Sequence, residues 1–403
     1  MAHIIVIGAG QAGASLTAEL RKQGFDGDIT LIGAEPVPPY QRPPLSKGYL
    51  LGDMALERLF LRPERFYEDQ KITLRLGQPV TRIDPVAHEV HLGDEKLHYD
   101  QLALTTGSDP RRLPASIGGD LAGVHVVRDL ADVDALAPDV TDGKRALIVG
   151  GGYIGLEAAA VAAKRGMRVT LVEMSPRILQ RVAAPETSDY FRALHLRHGV
   201  EIRESMGLDR LIGENGRAVE AVLSDGTHLR VEAVIVGIGI APGAGLAEDA
   251  GLAVDNGIVV DAQGRSSDPA IWSAGDCAAF PRGDTRIRLE SVQNAIDMAE
   301  CVARNMLGAE DIYEPKVWFW SDQYDVKLQI AGLNTGYDQV VSRKGDKDGV
   351  SFWYYSGEHL LAVDAMNDPR AYMIGKRLIE AGKTPDPAVI ADETSDLKAL
   401  LRS

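Results

Sequence analysis

Cysteine is scarce in this sequence. Only two occur among 403 residues, Cys277 and Cys301, and they are too far apart for a CxxC motif. The sequence therefore does not predict a disulfide framework, a zinc ribbon or an iron–sulfur site within the chain. We interpret both cysteines as small core residues rather than redox centres.

Long apolar runs and an excess of positive charge are also missing. No stretch of about 18 apolar residues appears, and the chain runs from Met1 into the strand-like "HIIVIG" without a basic leader. The formal net charge of −15 disfavours binding to nucleic acid or an anionic membrane through the overall field. We expect a cytoplasmic protein that binds neither.

Two glycine-rich turns dominate what is present. Each follows a short β-branched strand and precedes a helical pattern, and each has the GxGxxG spacing of a dinucleotide-binding unit. In such a unit the first glycine makes the tight turn, the second admits a pyrophosphate, and the third lets the helix pack closely. The repeat therefore predicts two bound dinucleotides. The glycines are Gly8, Gly10 and Gly13 in the first turn, and Gly150, Gly152 and Gly155 in the second.

Each repeat ends its second strand near an acid, Glu35 in the first and Glu173 in the second. Such an acid accepts hydrogen bonds from an adenosine ribose, although either residue could instead be an ordinary exposed acid at a strand end. A carboxylate at Glu173 repels a 2′-phosphate and so favours NADH over NADPH. Arg177 and Arg181 follow closely and leave that choice open.

Two further strand ends run into glycine, at "TTGS" (residues 105–108) and "SAGDC" (residues 273–277). Two dinucleotides in one chain are explained if one is a tightly held flavin and the other is a nicotinamide that visits. We interpret the first of these strand ends as a backbone approach to the flavin through Thr106 and Gly107. Asp276 in the second is placed to bind a ribityl chain, and the alternative is a helix N-cap.

The order of these segments predicts three domains. The first is discontinuous, over residues 1–112 and 242–318, and binds FAD. The second, residues 113–241, is inserted into it and binds NAD. Residues 319–403 alternate in polarity, are aromatic-rich and then become helical, which predicts a C-terminal α+β domain. The fold class is thus α/β with two Rossmann-like domains and an α+β domain.

Several motifs in this order resemble one family across nearly the whole chain. They are "PPYQRPPLSKGYL", both glycine turns, "YIGLE", "SAGDC", "RLESVQNA" and "FWSDQYDVKLQIAG". The chain resembles the oxygenase-coupled NADH-dependent ferredoxin reductases, within the FAD-dependent pyridine nucleotide-disulfide oxidoreductases. The resemblance implies a glutathione-reductase-like architecture, a resident FAD and NADH as electron donor. It also implies a 2Fe–2S ferredoxin as acceptor, which supplies a haem monooxygenase or a ring-hydroxylating oxygenase.

The resemblance also implies which residues contact the cofactors. Around FAD it places Ala12, Glu35, Arg42, Lys47, Val80, Arg128, Asp276 and Val292, with Trp320 near the flavin ring. Further candidate cofactor-binding residues are Thr106, Gly107, Tyr153, Ile154, Glu173, Arg181, Gly239 and Glu290. Two positions depart from the family pattern: Ala34 stands where many relatives have an acid, and Pro242-Gly243 stands where Pro-Asn is usual.

Lys47 and Glu157 are the predicted catalytic pair. The resemblance places Lys47 beside the flavin with Glu157 close to it, so that an ion pair keeps the lysine charged and stabilises the anionic reduced flavin. Alternatively, Glu157 is an acid favoured by the dipole of its helix alone.

The missing thiol indicates where the electrons go. Disulfide reductases of this architecture carry a CxxxxC, and related peroxidases and NADH oxidases carry a cysteine near the segment that here reads "PYQRPPLSK". Without one, electrons pass directly to an external carrier. Arg304, Arg343, Lys344 and Lys347 are candidates for docking a ferredoxin, or belong to a solvated charged face. An NADH oxidase, a rubredoxin reductase and an apoptosis-inducing-factor-like flavoprotein remain alternatives.

Overall fold

The computed structural model describes residues 2–402, which contain both α-helices and β-strands. The helices are α1 (Gln11–Lys22), α2 (Glu64–Asp69), α3 (Leu130–Leu136), α4 (Tyr153–Lys164), α5 (Pro185–Arg197), α6 (Gly245–Asp249), α7 (Val292–Met306), α8 (Pro369–Glu380) and α9 (Pro387–Ala391). The strands of the first half are β1 (His3–Ile7), β2 (Asp28–Ile32), β3 (Ile72–Arg75), β4 (Arg82–Asp84), β5 (Glu89–Leu92), β6 (Glu95–His98), β7 (Gln101–Leu104), β8 (Ser108–Pro110), β9 (Val124–His125), β10 (Arg145–Val149), β11 (Arg168–Glu173) and β12 (Glu201–Glu204). Those of the second half are β13 (Leu208–Glu214), β14 (Arg217–Leu223), β15 (His228–Arg230), β16 (Ala233–Val236), β17 (Ile240–Pro242), β18 (Ile258–Val259), β19 (Ile271–Ser273), β20 (Ala278–Arg282), β21 (Thr285–Ile287), β22 (Trp318–Gln323), β23 (Val326–Gly332), β24 (Gln339–Lys344), β25 (Val350–Ser356) and β26 (His359–Met366).

The chain divides into two compact units. One comprises the chain up to Arg42 together with Ala55–Asp109 and Ile240–Lys316. The other comprises Pro43–Met54, Pro110–Gly239 and the chain from Val317 onward. The short segment Pro43–Met54, which contains Lys47, thus groups with the second unit. The three-domain division made from the sequence stays a prediction.

A parallel sheet in the order β19-β7-β1-β2-β3 forms the centre of the first unit. Strand β1 pairs in parallel with β2 and β7, and its residues Ile4 to Ile7 are buried. Fully buried strands of this kind consist of continuous β-branched runs, as here. Helix α1 connects β1 to β2, so the first glycine turn lies at the carboxyl edge of the central strand.

The second unit contains the same arrangement, in the order β12-β11-β10-β16-β9. Strand β10 pairs in parallel with β11 and β16, and α4 follows it directly. The same unit contains an antiparallel sheet in the order β22-β23-β26-β25-β24, against which α8 packs. Its core is built around Trp353, Val363 and Leu378, all at most 1% exposed.

The predicted fold class is confirmed: two parallel-sheet Rossmann-like layers and a C-terminal antiparallel sheet with helices. The helical pattern predicted after the first glycine turn corresponds to α1, and the helical part predicted for the C-terminal segment corresponds to α8. Within residues 2–402, no helix is long and apolar enough to cross a membrane.

Candidate active site

In the first glycine turn, protein atoms leave no room for a side chain at two of the three glycines and leave open space at the other. Gly8 has φ of +113°, and a Cβ placed on it would lie 2.2 Å from the carbonyl oxygen of Thr105. A Cβ on Gly13 would lie 2.1 Å from the carbonyl oxygen of Gly8, whereas one on Gly10 would meet no protein atom within 4 Å. The space beside Gly10 is therefore where a dinucleotide can approach the backbone. Helix α1 begins there with no side chain capping its amide groups, as an anion-binding helix start requires.

The carboxylate of Glu35 lies beyond the end of β2 and is bound by two side chains. Its Oε1 accepts a hydrogen bond of 2.5 Å from Nη2 of Arg42, and its Oε2 accepts one of 2.5 Å from the hydroxyl of Tyr40. The guanidinium of Arg42 also lies over the Tyr40 ring, 5.1 Å from its centroid. Glu35 and Arg42 are thus brought together as a pair whose side chains are 29% and 28% exposed, not left as isolated surface residues.

Asp276 lies in a turn between β19 and β20, so the N-cap alternative for it is wrong. One of its carboxylate oxygens accepts a hydrogen bond of 3.0 Å from the hydroxyl of Ser108. Helix α7 begins later, at Val292, and is capped by Ser291. Glu290, just before that cap, forms an ion pair of 2.6 Å with Arg288.

Close packing brings the Asp276 turn to the start of α1. A Cβ placed on Gly275, whose φ is +84°, would lie 3.0 Å from the Cβ of Ala12. Two predicted flavin-binding segments, the first glycine turn and "SAGDC", are therefore neighbours within one unit.

The "TTGS" segment also lies against this site. Thr106 donates a hydrogen bond of 2.5 Å to the carbonyl oxygen of Gly243, and Gly107 has φ of +68°. A Cβ on Gly243 would lie 2.9 Å from the carbonyl oxygen of Thr106. This close approach gives a local reason for glycine at position 243. Val80, in the loop before β4, is partly buried.

The second glycine turn repeats the geometry of the first. A Cβ on Gly150, whose φ is +107°, would lie 2.4 Å from the carbonyl oxygen of Gly237, and one on Gly155 would lie 2.1 Å from that of Gly150. A Cβ on Gly152 would meet no protein atom within 4 Å. Both turns thus leave free the one position that a pyrophosphate needs.

Two backbone amides fix the carboxylate of Glu173 at the second turn. Its Oε2 accepts a hydrogen bond of 2.7 Å from Gly151, and its Oε1 accepts one of 2.7 Å from Ser175. An oriented carboxylate beside the helix start is the arrangement that binds a ribose. Arg181 is exposed, with its guanidinium 3.5 Å from the position of a Cβ on Gly239.

The two side chains of the "YIG" segment, Tyr153 and Ile154, differ in exposure. Ile154 is 44% exposed. The hydroxyl of Tyr153 is buried without a hydrogen-bond partner, and its ring lies 5.1 Å from that of Phe319. Burial, with the Asp364 carboxylate nearby, raises the pKa of Tyr153 well above its usual value.

Lys47 and Glu157 form an ion pair within the second unit. The lysine Nζ lies 2.9 Å from Oε2 of Glu157, and the carboxylate side chain is 7% exposed. Lys47 interrupts an irregular helical turn, Leu45–Tyr49, with φ of −132° and ψ of −111°. Glu157 lies past the first turn of α4, so the alternative that the helix dipole alone accounts for this acid is wrong.

Two hydroxyl groups complete the surroundings of the Glu157 carboxylate. Ser46 donates to its Oε2 at 2.9 Å, and Ser321 donates to its Oε1 at 2.7 Å. The sequence reasoning missed both serines. Ser321 could have been found, because it is a polar residue at a buried position of an alternating strand, β22.

The preceding residue, Trp320, is partly exposed, with its ring 5.5 Å from that of Trp318. Arg128, which precedes α3, is partly buried.

The four candidate docking cations differ in exposure. Arg343 is buried and donates five hydrogen bonds to the segment at residues 390–395, so its prediction as a docking residue is wrong. Arg304 is 34% exposed and pairs with Asp311 at 2.6 Å and with Glu19 at 3.9 Å. Lys344 and Lys347 are exposed.

Within residues 2–402, no group of three or more His, Cys, Asp or Glu side chains could hold a metal ion. Both cysteines are free and buried. This arrangement provides two nucleotide-binding turns and an ion pair, without a thiol at the surface of either turn.

Comparisons with known proteins cover the whole chain. The family described as pyridine nucleotide-disulphide oxidoreductase matches residues 2–299, and the one described as reductase C-terminal matches residues 318–401. A ferredoxin–NAD(P)(+) reductase of Sphingomonas sp is 44% identical over 393 residues, which is 96% of this chain and 94% of that protein. Rhodocoxin reductase of Rhodococcus erythropolis is 43% identical over 399 residues, 98% of this chain and 93% of that protein. Among solved structures, the covalent putidaredoxin reductase–putidaredoxin complex matches with a TM-score of 0.96 at 37% identity, covering 100% of this chain and 98% of that one.

Proposed function

This chain belongs to the pyridine nucleotide-disulphide oxidoreductase family, and we propose that it is an FAD-dependent NADH:ferredoxin reductase. The resemblance drawn from the sequence motifs is thereby confirmed at the level of the family. The observation that carries the proposal is the pair of glycine turns, each open at its second glycine, in a chain whose two cysteines are buried.

The residues present fit the two cofactors of this family, FAD and NAD. We assign FAD to the first turn, with Gly10 against the pyrophosphate and Glu35, Arg42 and Asp276 as its polar contacts. We assign NADH to the second turn, with Gly152 against the pyrophosphate and Glu173 on the ribose. When bound, the flavin accepts a hydride from NADH and gives up electrons one at a time.

The Lys47–Glu157 pair is the proposed catalytic pair. The Glu157 carboxylate holds the lysine Nζ 2.9 Å away, in a site where the carboxylate is shielded from water. A fixed positive charge of this kind stabilises negative charge that develops during reduction without reorganising at the moment of reaction.

The electrons then leave to a separate carrier. A thiol relay would need a cysteine near "PYQRPPLSK", and the sequence has none there. We propose a 2Fe–2S ferredoxin of an oxygenase system as the carrier, with the haem monooxygenase or ring-hydroxylating oxygenase downstream. We place the reaction in the cytoplasm, where NADH is available and two free cysteines stay reduced.

For ferredoxin docking we propose Lys344 and Lys347, because both are exposed cations on a chain whose net charge is −15. Local positive charge is needed to attract an acidic carrier under such conditions. The Lys344→Glu and Lys347→Glu substitutions should each lower the rate of ferredoxin reduction and weaken its salt dependence. An unchanged salt dependence would contradict docking at Lys344 and Lys347.

The test of the function is NADH oxidation with a panel of carriers. The rates with 2Fe–2S ferredoxins and with rubredoxin are measured anaerobically, the rate with no carrier is measured both anaerobically and in air, and the flavin-depleted apoprotein gives the background. We expect fast turnover only with a 2Fe–2S ferredoxin. A higher rate with rubredoxin than with the ferredoxins would indicate a rubredoxin reductase. NADH oxidation in air without a carrier, at a rate equal to that supported by a carrier, would indicate an NADH oxidase. Slow reduction together with a change of oligomeric state on adding NADH would indicate an apoptosis-inducing-factor-like protein.

A further inference from the structure

We propose that Ser321, Gln323 and His195 form a chain of hydrogen bonds that positions the Glu157 carboxylate and, through it, the ammonium group of Lys47. The inference rests on the proposed function, because it assigns positioning residues to the proposed catalytic pair. It concerns only residues of the second unit.

The chain of hydrogen bonds is continuous from the ion pair to the edge of the protein. Ser321 Oγ lies 2.7 Å from Glu157 Oε1, and Gln323 Nε2 lies 3.1 Å from Ser321 Oγ. Gln323 Oε1 lies 2.8 Å from His195 Nε2, and His195 Nδ1 lies 3.2 Å from the hydroxyl of Tyr324. The Tyr324 ring stacks on the exposed His198 at 3.7 Å between centroids, so the chain ends at solvent.

Every donor in this chain points toward the carboxylate. Because a carboxylate only accepts, Ser321 must donate to Glu157, and its oxygen is then available to accept from the amide of Gln323. With its amide nitrogen used as donor, Gln323 accepts from His195 Nε2, which fixes the tautomer of the imidazole. Hydrogen bonds aligned in one direction polarise one another and strengthen the last one.

Because of their burial, these groups cannot form hydrogen bonds with solvent instead. Ser321, Gln323 and His195 are each 0% exposed. A buried polar group without a hydrogen bond costs free energy, so loss of one member leaves its neighbour unsatisfied. The arrangement therefore favours a single orientation of the carboxylate.

His195 has the charge state that this direction requires. Burial lowers the pKa of its imidazole to about 4, so it is neutral near pH 7, with one donor and one acceptor nitrogen. Its neutral form matches one acceptor, Gln323, and one donor, Tyr324.

The chain of hydrogen bonds is suited to positioning the Glu157 carboxylate rather than to moving protons. The amide group of Gln323 lies in its middle, and an amide nitrogen does not give up and regain protons near neutral pH as an imidazole does. What the chain can do is fix Glu157 Oε1, while Ser46 and Lys47 bind Oε2. A fixed carboxylate in turn limits where the lysine Nζ can lie, and such preorganisation is what the proposed role of Lys47 needs.

The test is stopped-flow reduction of the flavin by NADH in the holoenzyme, without ferredoxin. Ser321→Ala removes the donor to Glu157 in a small side chain, and Gln323→Met keeps the approximate length of Gln323 but removes the donor to Ser321 without adding a charge. We expect each to lower the limiting rate constant about fivefold, with the apparent Kd for NADH changed by less than about twofold. Ser321→Thr keeps the hydroxyl and should restore most of the rate.

A matched control lies on α5 in the same unit. Thr187 is 0% exposed and donates a hydrogen bond of 2.7 Å to Asp364, outside the chain that leads to Glu157. Thr187→Val should disturb the packing to a similar degree and leave the rate of flavin reduction unchanged. An equal slowing in Thr187→Val would show a general packing effect and overturn the inference.

A double-mutant cycle separates this inference from the proposed function. If Ser321 acts through Glu157, Ser321→Ala should have an effect below about twofold in a Glu157→Gln background. The same fivefold slowing in both backgrounds, or none in the wild-type background, would overturn the inference. A wild-type protein that reduces no carrier would contradict the reductase function instead, whatever the cycle shows.

Discussion

The Nζ atom of Lys47 lies 2.9 Å from Oε2 of Glu157, although the two residues are 110 positions apart in the sequence. The lysine side chain is 21% exposed and the glutamate side chain 7%. Breaking a largely buried pair leaves an uncompensated charge, so substitution of either partner should have consequences well beyond those of a surface ion pair.

Lys47→Met should slow the reduction of the flavin by NADH about tenfold or more, because it removes the positive charge and keeps the apolar stem. The measurement is the limiting rate constant in stopped flow. Arg58→Met provides a control that removes an exposed cation from outside the pair. A rate equal to that of the wild type would remove Lys47 from the mechanism.

Gly10→Val should yield a folded protein that retains little flavin. A Cβ on Gly10 meets no protein atom within 4 Å, so the side chain occupies only the space assigned to the pyrophosphate. The measurement is the flavin-to-protein absorbance ratio, with circular dichroism as the test of folding.

Gly8→Ala is the matched comparison in the same turn. Its Cβ would lie 2.2 Å from a carbonyl oxygen at φ of +113°, so it should lower the free energy of unfolding of the apoprotein by about 2 kcal/mol or more. Full flavin content in Gly10→Val would contradict the assignment of FAD to the first turn.

Glu173→Ala should reduce the preference for NADH over NADPH about tenfold or more, measured as the ratio of kcat/KM values. The carboxylate is fixed by the amides of Gly151 and Ser175, so its charge is held where a 2′-phosphate would lie. Adding Arg181→Ala to this variant should remove the gained use of NADPH if the exposed guanidinium binds that phosphate. An unchanged ratio in Glu173→Ala would show that another residue reads the ribose.

Arg343→Met should lower the free energy of unfolding by about 3 kcal/mol, because four carbonyl oxygens and a hydroxyl at residues 390–395 lose their donor. Lys344→Met, on the next and exposed residue, should change it by less than about 0.5 kcal/mol. Urea unfolding measures both. Equal effects would mean that the guanidinium does not hold the C-terminal segment.

The buried carboxyl group of Asp364 should make stability depend on pH. Burial raises its pKa from 3.8 to about 6, although Tyr354 and Thr187 donate hydrogen bonds to it. A raised pKa contributes stability below about pH 4, and this contribution is lost as the pH rises to 6 and above. As the pH rises from 4 to 7, the free energy of unfolding of Asp364→Asn should therefore increase relative to that of the wild type in urea titrations. A difference independent of pH would contradict a buried, titrating carboxyl group.

The sequence by itself determined the local features of this protein. Strand, glycine turn and helix follow from residues adjacent in the chain, because a β-branched run, a GxGxxG spacing and a helical pattern each act over a few positions. Both nucleotide-binding turns, the two acids that follow them and the helix α8 were predictable for this reason. Sequence alone also excluded a thiol relay, since a cysteine is either present or absent.

Only the tertiary structure decided which distant side chains meet. It gave Asp276 a place in a turn between strands rather than at a helix start, and it buried Arg343 under the C-terminal segment. It also joined Ser321 of a C-terminal strand to Glu157 of an earlier helix. Such contacts depend on how sheets and helices pack, and a buried polar residue shows its partner only when the chain has folded around it.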